Sequence, residues 1–130
     1  MITSLESRAA QAHSASVRLE VPALVAGLRE LLGVRLVAYI GGVQEARAVR
    51  QWADPDDGRT PPAAVVQRLR TAYQVASIIG ERDTAAVVQA WFQGMNPALS
   101  DLAPARLLRD GDPDAAARVL AAARAFAAAG

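Results

Sequence analysis

Residues 35–62 read RLVAYIGGVQEARAVRQWADPDDGRTPP, two short apolar-patterned runs separated by Gly41-Gly42 and closed by a loop of turn formers. The pattern predicts a helix from Val34 to Ile40, a sharp turn, and a helix from Gln44 to Ala53 that stops at the DPDDG loop. Gly41 or Gly42 can supply a positive-φ turn, and Ala38 is small enough for close helix approach. Val49 and Trp52 form an i,i+3 pair aimed at a core. This is the outline of a helix-turn-helix, and it leaves Gln44, Glu45, Arg47, Arg50 and Gln51 on the outer side.

Apolar residues recur at three- and four-residue spacing along most of the chain, and alternating β-branched or aromatic runs are scarce, so the fold class is all-α. A first helix is predicted from Pro22 to Leu32, with Leu24, Leu28, Leu31 and Leu32 on one face and Gly33 as its stop. Thr60 reads as the N-cap of a long helix reaching Ile79, with Val66, Leu69, Tyr73, Ala76 and Ile79 inward and Gly80 as the end. Asp83 is the expected cap of a helix carrying Val87, Val88, Trp91 and Phe92, ended by Gly94 and Asn96-Pro97. A short turn follows from Pro104 to Leu108. Asp112-Pro113 then opens an alanine-rich helix reaching nearly to Gly130, whose few large apolar groups leave it free to dock on a partner or to fray.

The domain reading is an N-terminal arm over 1–20, mobile or loosely attached, a helix-turn-helix region over 21–80, and a small C-terminal helical module over 81–130. One hundred and thirty residues suffice for one compact helical domain. Lysine is absent and every cationic side chain apart from His13 is arginine, suited to bidentate recognition of phosphate and guanine, but codon bias accounts for the usage better. From Val34 to Gly80, outside the acidic loop, Arg35, Arg47, Arg50, Arg59, Arg68 and Arg70 face only Glu45, a local excess of about five positive charges (six minus one) that could neutralise phosphates. Asp54, Asp56 and Asp57 cancel part of it. Arginine can read guanine, glutamine adenine, and glutamate cytosine, each pairing worth about 1–3 kcal/mol of discrimination.

Other chemistry finds little footing. Cysteine is absent and His13 is the single histidine, so neither a thiolate site nor a Ser-His-Asp arrangement can be assembled. No GxGxxG or P-loop occurs. The acidic runs beginning at Asp54 and Asp110 place Arg59 and Ala115 where a calcium loop needs glycine, and Val65 and Ala121 where it needs glutamate. Trp91 and Phe92 are adjacent and read as core anchors, since neighbours on a helix cannot easily face one ligand. No metal, cofactor or catalytic residue is expected, and the chain reads as a binding protein, not an enzyme. No apolar run is long enough for a membrane span and the first twenty residues lack a signal-like apolar stretch, so a cytoplasmic location is expected.

Two segments resemble the antitoxin family named for Xre, MbcA and ParS. LVAYIGGVQEARAVRQWADPDDGRTPP is similar to that family's helix-turn-helix ending in tryptophan. AWFQGMNPALSDLAPARLLRDGDPDAAARVLAAARAF is similar to its C-terminal module, at Trp91, Asn96, Pro97, Leu99, Pro104, Leu107, Leu108 and Gly111. The resemblance covers about residues 22–128. It implies a protein that binds double-stranded operator DNA, represses its own operon and neutralises a RES-type toxin that consumes NAD; a homodimer is expected separately, because one small helix-turn-helix reads a half-site weakly unless doubled. On the outward face and local charge read above, Arg35, Gln44, Glu45, Arg47, Arg50, Gln51 and Arg59 are the candidate DNA contacts; the matched C-terminal positions are mostly scaffold, and Arg118, Arg124 and Phe126 are the candidate toxin contacts. From Gly42 to Trp52 the chain carries one residue more than the commonest pattern, which shifts the register of the reading face by one position. The alternatives are a stand-alone helix-turn-helix regulator whose C-terminal module dimerises or recruits another protein, and an interaction module with a degenerate helix-turn-helix.

Overall fold

Glycines that punctuate the sequence do end helices in the structure, a computed structural model that describes residues 10–14 and 19–129. After the helical stretch 10–14, its helices are α1 Val21–Leu32, α2 Val34–Gly41, α3 Ala46–Ala53, α4 Ala63–Gly80, α5 Ala85–Gln93, a 3-10 turn Pro97–Leu99, α6 Pro104–Asp110 and α7 Ala115–Ala129. Among the described residues no strand forms, and one bridge, Asn96 with Leu102, is the whole of the extended pairing. The fold is all-α. Residues 10–14 are helical, and Ala12 packs on Ile78 and Ala127. The rest of the arm expected over 1–20 lies outside the described residues, apart from Leu19 and Glu20.

α4 is the axis of the molecule. It packs against α1 on one side and α7 on another, with α2 and α5 also touching it. Because neighbours surround it, Val65, Leu69, Ala72, Val75, Ala76, Ile78 and Ile79 are all buried, together with Gln74. The single stripe expected from the sequence is therefore too narrow, and Val66 and Tyr73 are only half-buried. On α1 the inward set is Leu24, Val25, Leu28 and Leu32, with Val25 where Leu31 was expected. A side chain of this size gains about 1.5–3 kcal/mol from full burial, so these positions carry much of the stability. One apolar cluster runs from Leu24 through Phe92 and Leu108 to Ala123 and joins both halves of the chain.

Helix starts depart from expectation more than helix ends. α4 begins at Ala63 behind Pro62, so Thr60 does not cap it. Pro62 is itself the N-cap, at φ −56° and ψ 156°, and no side chain bonds the first-turn amides; the ring fixes the φ from which the chain enters the helix. Thr84, not Asp83, caps α5, its Oγ1 accepting from the Val87 amide at 3.3 Å. α3 begins at Ala46, two residues later than expected, because Gln44 and Glu45 are used to complete the turn.

The alanine-rich end is firmly seated. α7 lays Ala115, Val119, Ala122, Ala123 and Ala127 inward, and small side chains allow close approach to α4. Arg82 fastens its far end by donating from Nη1 to the Ala127 carbonyl at 2.8 Å. Large side chains alone are a poor guide to this contact, because alanine stabilises a helix pair by close approach instead of by bulk.

Candidate nucleic-acid interface

α2 and α3 are joined by a turn over 42–45, and the two adjacent glycines do different things there. Gly42 is left-handed, with φ 76° and ψ 21°. The turn brings the amides of Gly42 and Val43 back to the carbonyls of Tyr39 and Ala38, at 3.1 and 3.0 Å, and closes α2. Gly41 is buried inside α2, where a Cβ would stand 3.0 Å from Cζ3 of Trp52. One glycine bends the chain and the other makes room for the indole.

Trp52 and Val49 are buried as expected, at 8% and 0% exposure. At about 100° per residue, Arg47, Arg50 and Gln51 fan over roughly 100° of the opposite side of α3. Arg47 and Arg50 are exposed and Gln51 is half-buried. Gln44 and Glu45 are exposed but precede the helix, with Glu45 as an N-cap that makes no side-chain bond. Arg35 is exposed on α2.

The charge available to a ligand is smaller than the sequence count. Arg68 donates from Nη1 to the Arg109 carbonyl, and its Nε is buried without a partner. Arg70 donates from Nη1 to the Leu19 carbonyl at 2.7 Å. Both bind their own fold. Arg59 lies in the exposed loop 3.6 Å from Asp57, a pairing that water largely screens but that still lowers the local potential. What remains on the α2–α3 side is Arg35, Arg47 and Arg50, with Glu45 beside them.

No protein-family profile, curated protein or solved structure matches the chain.

One participant escaped the sequence reading. Arg109, at the end of α6, sits with Cζ 4.6 Å above the centroid of the Tyr39 ring on α2. Arg35, Ala38, Tyr39, Val43, Gln44, Ala46 and Arg109 line one groove of about 370 Å³ beside the turn. No local signal marks Arg109, since its position depends on how α6 lies across α2.

Arg118, Arg124 and Phe126 do not form one surface. Arg118 and Arg124 are exposed about 120° apart on α7, flanking its buried seam. Phe126 is 39% exposed and its ring stacks at a tilt on Trp91, 6.3 Å between centroids, while Trp91 meets Phe92 edge-on at 5.5 Å. Phe92 is a buried anchor as expected, and Trp91 is half-buried. The positions that carry the C-terminal resemblance have structural duties. Asn96 accepts from the Ala98 amide through Oδ1 at 3.0 Å, Leu99, Leu107 and Leu108 are buried, Pro104 starts α6, and Gly111 is left-handed at φ 72°. Among the described residues no cluster of metal-ligating groups occurs, and no helix is long and apolar enough to cross a membrane.

Proposed function

We propose that the chain is a DNA-binding antitoxin and autorepressor, acting in the cytoplasm as a homodimer that reads operator DNA with α3 and neutralises a RES-type toxin. The observation that carries the DNA reading is the two-sided α3, with Val49 and Trp52 locked into the core opposite exposed Arg47 and Arg50, behind a left-handed Gly42 turn. The antitoxin reading is supported by the resemblance of the two segments described above. Dimerisation follows from the weakness of one small reading helix unless a second half-site doubles it.

Arg47→Ala with Arg50→Ala is expected to weaken binding to the DNA upstream of the gene at least about tenfold in a gel shift, since each arginine–guanine pairing contributes about 1–3 kcal/mol. Unchanged affinity would remove α3 as the reading helix. Co-expression with the adjacent gene reads the antitoxin half, as rescue or no rescue of growth. The stand-alone regulator is favoured by a separate observation: α7 is built into the scaffold against α4 and is not a free tail. Absence of a RES-type toxin beside the gene would favour that second reading.

A further inference from the structure

We infer that Arg109 and Arg35 form a clamp for a DNA backbone phosphate, so that the DNA footprint extends beyond the helix-turn-helix onto α6. The inference rests on the DNA reading above and adds an anchor from the C-terminal half of the chain. Arg35 on α2 and Arg109 on α6 line the same groove beside the turn. The described ion pairs engage neither of them: Asp110, the carboxylate next to Arg109 in the chain, lies 3.8 Å from Arg106, and the other ion pair is Arg59 with Asp57. The Arg109 guanidinium lies over the Tyr39 ring, a contact that favours this position without neutralising the cation and leaves its N–H groups their capacity to donate.

Arginines from two different helices lining one open groove suit a tetrahedral oxyanion, which a guanidinium can grip through a pair of N–H donors. The groove also reaches Gln44 and Ala46, at the start of α3, so an occupant would sit next to the bases that Arg47 and Arg50 approach. Backbone phosphates beside a groove-bound helix position a protein without reading sequence. A phosphate here would set the angle at which α3 enters the groove. Because α6 belongs to the C-terminal half, anything that displaces α6 would loosen DNA binding through Arg109.

The test is the salt dependence of binding to a duplex of unrelated sequence, followed from about 50 to about 300 mM salt. Removing the grip on one phosphate should make the slope of log K against log salt shallower by about 0.9. Arg109→Gln is expected to show that change, Arg109→Lys to restore most of it, and Arg106→Gln, which removes the same charge from the same helix but lies outside the groove, to leave the slope near wild type. Circular dichroism of each variant checks that the helices are intact. An unchanged slope for Arg109→Gln, with Arg47→Ala and Arg50→Ala still weakening binding, would overturn the clamp alone. An equal effect from Arg106→Gln would overturn it in favour of net charge. A wild-type chain that binds no duplex even at the lowest salt would overturn both the clamp and the DNA reading.

Discussion

Gly33 and Gly42 should answer differently to the same pair of substitutions. Gly33 is the single residue between α1 and α2, at φ 83° and ψ 154°, a region that side-chain-bearing residues essentially do not enter. Gly42 is at φ 76° and ψ 21°, in the left-handed well that asparagine tolerates. Space is not the issue at either position. A Cβ at Gly33 would meet nothing within 4 Å, and at Gly42 it would touch Arg68 Nη2 at 3.6 Å, an ordinary van der Waals distance. The cost is therefore conformational. Alanine in the left-handed well costs about 1–2 kcal/mol, and the Gly33 conformation up to about 3. Alanine also narrows the unfolded ensemble, which returns about 0.4–1 kcal/mol. Net destabilisation is expected at about 2 kcal/mol for Gly33→Ala and about 1 for Gly42→Ala. Gly42→Asn should recover most of the loss, and Gly33→Asn none of it. Urea unfolding followed by helical circular dichroism, compared at equal m, gives these differences directly, and melting should fall by roughly 4 °C per kcal/mol. Asparagine behaving alike at both sites, or Gly33→Ala unfolding at the wild-type midpoint, would refute the assignment of the two conformations.

Thr84→Ala should cost about 1 kcal/mol by removing the α5 cap, whereas Asp83→Ala should be close to neutral; the reverse order in the same unfolding assay would return the cap to Asp83. Ala123→Leu should destabilise by about 1–3 kcal/mol, because Ala123 is fully buried in the α7 seam and extra methylenes would force α7 outward; a stability equal to wild type would mean that the seam has room to spare.

Helix ends were legible because Gly33, Gly42 and Gly111 sit where helices stop at positive φ, a conformation most residues avoid, while Gly94 ends its helix in ordinary extended backbone. Helix starts were less so, since Ser, Thr, Asp and Pro compete within a few residues and the winner depends on the direction from which the chain arrives. Trp52 and Val49 were readable as a buried pair from their spacing alone. The duties of Arg68 and Arg70 were not, because their acceptors are the carbonyls of Arg109 and Leu19, 41 and 51 residues away in the chain. A charge count treats every arginine as facing solvent, and those two face inward. Arg109 is the converse case, a residue at the end of a short helix that packing carries to the α2–α3 turn.

The seating of α7 has a consequence for any molecule that approaches the C-terminal end. Phe126 is presented on a helix already folded and braced by Trp91 and by the Arg82 bond to Ala127. An unstructured tail would have to be ordered at the moment of encounter, giving up conformational entropy and with it part of the gross interaction energy. A preformed face avoids most of that cost, so recognition there would depend on shape complementarity to a rigid surface, with little induced rearrangement of this chain.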